Sequence, residues 1–450
     1  MREKSPWQPR LATAAASPAE QLVLALSEDI LSGILRHGDR LPAHRDLADR
    51  LRIGLGTVTK AYGILEKRGL VFSTKGRGMF VALVHSRNGD IIDLSKNNPP
   101  AVLTSRSLTS ALSTISHHPD MKMFNNYAPV AGHDEHRRIM AQWFASLGVA
   151  ARYQQLMLTS GAQHALFIAL STVCEPGGKL YVEAHTYSGL IRLSQFLNIT
   201  LVGIPMDDEG MCAAHLAQQL QQDSGKQSTV YLTPLLQSPT TRITSLRRRQ
   251  ALIDVCRQHD AWIIEDDVYR LQRDKSLPQM VNLAPEITLY INSLSKIMNP
   301  ALRVGGLLLP ERLYPRAEQM LNATAMMVSP VCCAIMERWL TDGTAETVIN
   351  AIAQETARRY AMAREILGEY LYDSGLPSFH LWLPLPRQTA LRVYEVAKSQ
   401  GIYLTSPLST EVAQWDDRSG IRMCIGAPDM AQLKFALTAV RKILAVEYGM

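Results

Sequence analysis

Lys296 closes "TLYINSLSK", an apolar run over 288–296 that reads as a buried strand running out into polar residues. A lysine held near apolar or cationic groups has its pKa lowered and can condense with an aldehyde. Asp266 ends a second such run, "AWIIEDDVY", where a carboxylate can hold a pyridinium proton and keep a ring electron-withdrawing. Tyr187 and Tyr269 follow strand-like runs too; an aromatic side chain can stack on a flat ring, and a phenol can bond a ring hydroxyl. Ser160-Gly161-Ala162-Gln163 opens a helical pattern directly after a short apolar segment, which offers backbone N–H groups to a phosphate. Ser293 and Arg303 can complete such a phosphate site. A flat ring, an aldehyde, a pyridine nitrogen and a phosphate together describe pyridoxal 5′-phosphate (PLP). Singly, an aspartate in "EDD" is ordinarily solvated and a lysine ordinarily lies on the surface. Their order carries the inference.

Four runs, "GKLYVEAHTY", "STVYLTPLLQSP", "AWIIEDDVY" and "TLYINSLSK", start as buried strands and end in polar residues, with amphipathic stretches between them. This is the pattern of a parallel sheet covered by helices. Ligands of open α/β sheets sit beyond the carboxyl ends of the strands. The pattern therefore predicts that Tyr187, Ser238, Asp266, Tyr269 and Lys296 converge.

The first 80 residues are different. "AEQLVLALSEDILSGIL" places Leu22, Leu26, Ile30 and Ile34 on one helical face, and "LPAHRDLADRL" predicts a second helix with Pro42 at its start. In "GTVTKAYGILEKRG", Val58, Ala61, Tyr62 and Leu65 form a core stripe. Gly56, Lys60, Gly63 and Lys67 lie opposite, a slim cationic face suited to a nucleic-acid groove. "LVFSTKGRGMFV" then reads as strand, turn, strand, with Lys75 and Arg77 at the tip.

The totals agree with two or three domains in 450 residues. Lys and Arg outnumber Asp and Glu by 13 to 8 over residues 1–85, so nearly all of the net +6 lies there, as in a polyanion-binding module. Six cysteines form no CxxC pair and no metal-ligand spacing, which predicts free thiols, no metal site and a reducing cytoplasm. No apolar run approaches a membrane span, so no membrane partner is expected.

The N-terminal pattern from Gly38 to Val81 resembles the GntR-type winged helix-turn-helix. That likeness implies DNA contacts from Arg45, Thr57, Thr59, Lys60, Gly76 and Arg77. Leu55-Gly56 departs from it, since a polar or basic pair such as Ser-Arg is common there. From "SGAQ" through Tyr187, "SPT", "DDVY", "SLSK" and Arg303, the large region resembles the fold-type I aminotransferases. The likeness implies a Schiff base between Lys296 and PLP, Asp266 at the ring nitrogen, Tyr269 at the ring hydroxyl and Tyr187 stacked on the ring. Gly161, Ala162, Ser293, Ser295 and Arg303 would line the phosphate pocket, with Tyr127 reaching it from a partner subunit and Arg422 gripping a substrate or effector carboxylate. Ser238-Pro239-Thr240-Thr241 stands where Asn-Pro-Thr-Gly is usual, and His136 where a dimer-forming helix usually has leucine.

Joined, the halves resemble the MocR-type subfamily of GntR-like transcriptional regulators. The implied fold is α/β: a winged helix-turn-helix (1–82), a short linker (83–100) and a PLP-dependent transferase fold type I domain (101–450). The latter has a mixed, mostly parallel sheet with covering helices and a small C-terminal subdomain from about 330. The implied function is PLP-dependent regulation in response to PLP or an amino compound, by a cytoplasmic head-to-tail homodimer on a double-stranded operator with paired half-sites. The alternative is an active aminotransferase carrying a DNA-binding module.

Overall fold

The computed structural model describes residues 7, 10–11, 17–31, 34–35, 38–67, 70–74, 78–81, 91–117, 120–223, 227–271, 274, 276–415 and 417–448. The chain divides into two compact units, Met1–Ile91 and Ile92–Met450.

In the first unit, α1 (Pro18–Leu31), α2 (His44–Leu51) and α3 (Leu55–Lys67) precede a hairpin of β1 (Val71–Thr74) and β2 (Gly78–Val81). Leu22, Leu26 and Ile30 of α1 are buried as their spacing predicts. Ile34 is not: α1 ends three residues earlier, and Ile34 is 68% exposed. Arg52 ends α2 in the left-handed conformation, and its N–H bonds back to the α2 carbonyls. The resulting short turn delivers α3, whose Val58, Ala61, Tyr62 and Leu65 are completely buried. Tyr62 also donates to the Pro42 carbonyl at 2.8 Å, which ties α3 to the chain entering α2. β1 and β2 pair antiparallel from Val71↔Val81 to Thr74↔Gly78. Lys75, Gly76 and Arg77 lie outside the described residues.

The second unit opens with β3 (Ile92–Asp93), α4 (Ser105–His117), α5 (Met121–Phe124) and α6 (Asp134–Ser146). Then come β4 (Leu156–Thr159), α7 (Ala162–Val173), β5 (Lys179–Glu183), β6 (Thr200–Ile204) and a small hairpin of β7 (Met206–Asp207) and β8 (Gly210–Met211). β9 (Thr229–Leu232), β10 (Trp262–Asp266), β11 (Thr288–Ser293) and β12 (Gly305–Leu308) follow. Seven strands form one sheet in the order β4-β12-β11-β10-β9-β5-β6. Only β12 runs against its neighbours. Both sheet faces are covered, so the strands are apolar throughout. Leu289 and Ile291 of β11 pack with Leu166 and Leu170 of α7, while the intervening Tyr290 packs with Met140 and Phe144 of α6. His136 is buried on α6, 3.2 Å from Glu337.

β13 (His380–Pro386) and β15 (Arg418–Cys424) pair antiparallel in the C-terminal subdomain. The long helix Thr344–Leu367 belongs to both parts. Its Val348 and Ile352 belong to the core that α6 also enters, whereas Tyr360, Ala363 and Leu367 belong to the core that β13 and β15 enter. The helix Pro330–Thr341 packs wholly with the larger part through Met336 and Trp339, so the subdomain begins later than 330. It also recruits a segment from far upstream: β3 pairs parallel with β14 (Ile402–Tyr403), and Ile92 and Leu94 join its core. Residues 92–100, expected to be linker, are therefore part of the second unit; 82–90 lie outside the described residues. Among the described residues, no single helix is long and apolar enough to cross a membrane, and no His/Cys/Asp/Glu group is arranged to hold a metal.

Candidate functional site

A cavity of about 790 Å³ lies at the carboxyl ends of β9, β10 and β11, where Lys296, Asp266, Tyr269, Tyr187, Ser238, Ser293, Ser295, Ala162, Arg303 and Arg422 all reach its wall. β5 and β9 are neighbours that continue to opposite sides of the sheet, β5 leading to β6 and β9 to β10, so a crevice opens between their ends.

The Lys296 amine donates to the Asn97 carbonyl. Burial, with Arg422 and Arg303 nearby, pushes its pKa down to about 8 against the pull of Asp266 and Cys424. Asp266 is buried at the end of β10; burial pushes it up to about 6, and neighbouring Asp267 adds to that. Its Oδ2 accepts from the Tyr231 hydroxyl at 2.9 Å, while its Oδ1 has no hydrogen-bond partner. The Tyr269 hydroxyl accepts from the Asn97 amide, and its ring lies 4.6 Å from that of buried His380. Tyr187 is held upright by donating to Gln163 Oε1 at 2.9 Å.

Around the start of α7, backbone and side chains form a cradle. Gly161 has φ +85° and precedes the helix, whose first N–H groups have no partner within the helix. A Cβ on Gly161 would come within 2.6 Å of Arg303 Nη2 and push that guanidinium aside, and the positive φ itself favours glycine. Arg303, itself left-handed at φ 51°, donates to the Ser160 carbonyl at 3.0 Å and to Ser295 Oγ at 3.3 Å. Ser293 Oγ accepts the Ser295 N–H at 3.4 Å. Hydroxyls, a guanidinium and helix N–H groups face one corner, the donor set for a phosphate.

Arg422 is buried on β15. It donates to Thr405 Oγ1 at 3.2 Å, Ser238 Oγ at 3.3 Å and the Ser95 carbonyl at 3.1 Å, all neutral oxygens. Among the described residues no carboxylate pairs with it, so a buried fork is available to an anion.

Tyr127 stands apart, 77% exposed and absent from the cavity wall of its own chain. On the first unit, Arg45 of α2 and Thr59 and Lys60 of α3 are exposed and Thr57 is half-buried. Thr59 Oγ1 donates to the Leu55 carbonyl at 3.0 Å. Gly76 and Arg77 lie outside the described residues.

Sequence reasoning missed Ser95, Asn97, Tyr231 and Thr405. Tyr231 had a signal in its alternation along β9 beside Asp266. Ser95 and Asn97 sat in a turn-like "SKNNPP", which gave no hint that the segment enters the cavity.

Residues 89–440 match the family described as Aminotransferase class I and II, and residues 18–81 match Bacterial regulatory proteins, gntR family. Over 448 residues the chain is 25% identical to the uncharacterized HTH-type transcriptional regulator YdeF of Bacillus subtilis, covering 97% of this chain and 96% of that one. It is 25% identical to the HTH-type pyridoxine biosynthesis transcriptional regulator PdxR of Corynebacterium glutamicum, covering 80% of each. Identity to the probable rhizopine catabolism regulatory protein MocR of Rhizobium meliloti is 24%, over 95% of this chain and 94% of that one. Among solved structures, an archaeal alanine:glyoxylate aminotransferase superposes with TM-score 0.72 at 17% identity, covering 86% of this chain and 94% of its own. Kynurenine aminotransferase of Pyrococcus horikoshii gives 0.71 at 21%, covering 86% and 98%; both are likenesses of fold. The chain belongs to the aminotransferase class I and II family and, with a GntR helix-turn-helix domain ahead of that region, is a transcriptional regulator of the MocR type.

Proposed function

We propose that the regulator binds PLP in the second unit and changes its grip on DNA when PLP or an amino compound occupies the cavity. The observation carrying this is that a buried amine of lowered pKa, a buried carboxylate with a free oxygen and a phosphate cradle share one cavity in a chain whose first unit is a helix-turn-helix domain. The residues fit the group. Asp266 Oδ1 is an acceptor without a partner, as a protonated ring nitrogen requires. Gly161, Ala162, Ser293, Ser295 and Arg303 would hold the phosphate, Tyr187 would stack on the ring, and Tyr269 and Ser238 would reach its hydroxyl. When bound, PLP supplies an aldehyde that condenses with primary amines.

Lys296 offers the amine, Arg422 orients an effector through its carboxylate, and Asn97 and Thr405 position those two side chains. PdxR, by its name, regulates pyridoxine biosynthesis, which favours a vitamin B6 compound as one signal. Exposed Tyr127 suits delivery to a partner's site, as in a head-to-tail homodimer, and two such helix-turn-helix units call for paired half-sites. An effector shifts DNA affinity only if it binds the two arrangements of the dimer unequally.

The test adds PLP to the purified apoprotein. Visible absorbance should appear, become fixed to residue 296 on borohydride reduction, and fail to develop in Lys296→Ala. Titrating amino acids into the holoprotein on DNA should then change affinity. A colourless protein would refute the cofactor reading, and a coloured one that turns over amino and keto acids repeatedly would favour an active aminotransferase.

A further inference from the structure

Two glycines, Gly56 and Gly63, lie within α3, where glycine is the least favourable residue after proline. The fold does not require either one. Neither has a positive φ, and a Cβ built at either position would meet nothing within 4 Å. This contrasts with Gly161, Gly305 and Gly306, where added Cβ atoms would meet neighbouring atoms at 3.1 Å or less. A helix that carries two unfavourable residues without an internal reason has its reason outside. Both flank exposed Lys60, opposite the stripe Val58, Ala61, Tyr62 and Leu65 that fixes which face looks outward. At the N-terminal end of α3, preceding Gly56 and in line with buried Tyr62 two turns on, Leu55 is 45% exposed although fully apolar. Thr59, one turn on, has its hydroxyl turned back to the Leu55 carbonyl.

We propose that this face sits unusually deep in the DNA major groove, with Gly56 and Gly63 admitting the close approach and Leu55 reading the C5-methyl group of a thymine. The occupant is double-stranded DNA because the face is cationic at Lys60 and belongs to a gntR-family domain. N-terminal residues of a recognition helix meet base edges, and the thymine methyl is the apolar feature of the groove that a leucine can recognise. Leu55 and Gly56 offer no side-chain hydrogen bond, so that position of the operator should be chosen by shape and methyl contact. The inference rests on α3 being the helix that enters the groove.

The experiment uses the full-length protein and a duplex selected from a randomised double-stranded library. Each thymine is replaced by deoxyuracil, which removes only the methyl group. In the wild type one thymine per half-site should lose about fourfold in affinity, the worth of one buried methyl. In Leu55→Ala that difference should vanish. Gly56→Ala and Gly63→Ala should bind about tenfold more weakly while melting at the same or a higher temperature, because alanine favours the helix and disfavours only the approach. Uracil-insensitive binding, a penalty that persists in Leu55→Ala, or glycine variants that bind like wild type would overturn the proposal. Lys60→Ala separates the two levels. If it leaves affinity and salt slope unchanged, or if no duplex is selected, α3 is not the groove helix. If it weakens binding while Leu55→Ala keeps the uracil penalty, the groove assignment stands and the methyl contact fails.

Discussion

Lys296 should react as an amine half-deprotonated near pH 8, and the reactivity of its apoprotein can be followed without any cofactor. Burial comes first among the causes and Arg422 second among those that lower the pKa. At pH 7, a pKa of about 8 leaves roughly 10% of the side chain neutral, against roughly 0.03% at the ordinary value, an advantage of about 300-fold. Labelling with trinitrobenzenesulfonate, quantified at residue 296 by peptide mass spectrometry, reads this directly. The rate should climb about tenfold per pH unit below 7, bend near 8 and level off above 9. Arg422→Gln removes a cation that opposes protonation, so the bend should move upward by about half to one unit. It should stay below the value of an exposed lysine, because the desolvation remains. A wild-type rate that rises without a break through pH 10 would refute the premise that the pocket strips this amine of its proton. An unmoved bend in Arg422→Gln would leave burial and Arg303 as the causes.

Other substitutions carry their own signs. Asp266→Asn should stabilise the apoprotein at pH 7 by about 3 kcal/mol, read by denaturant unfolding, while weakening PLP binding. The sign follows because the native carboxyl is raised to about 6, so its ionisation opposes folding from the ordinary carboxylate range up to that value, and the loss is complete by pH 7. Gly161→Ala places a Cβ against Arg303 at a left-handed position and should lower PLP affinity at least about tenfold by equilibrium dialysis, with pyridoxal lacking the phosphate much less affected. Tyr62→Phe leaves the Pro42 carbonyl without its donor and should destabilise the first unit by about 1–2 kcal/mol in thermal unfolding, with the cofactor spectrum unchanged.

The parts legible in the sequence were those governed by local repetition. Fully apolar runs marked strands buried on both faces, and the polar residues ending them marked the cavity, so Lys296, Asp266 and Tyr269 could be named together. The α3 stripe was legible for the same reason, since a 3.6-residue period determines which side chains are buried. Contacts made across long stretches of chain escaped. Thr405 Oγ1 lies 3.5 Å from the Ser95 carbonyl across 310 residues, and nothing near either residue announces the other. The subdomain boundary escaped because one continuous helix, Thr344–Leu367, serves two cores. Ile34 was misplaced because periodicity does not say where a helix stops.

The parallel pairing of β3 with β14 governs how the protein can be cut. A C-terminal fragment begun at residue 101 would lose Ile92 and Leu94 from its core, the carbonyls that receive Lys296 and Arg422, and the amide beside Tyr269. Such a fragment would be expected to leak its ligand even if it folded. One begun at or before residue 91 keeps the whole wall, and is where separation of the two halves should start.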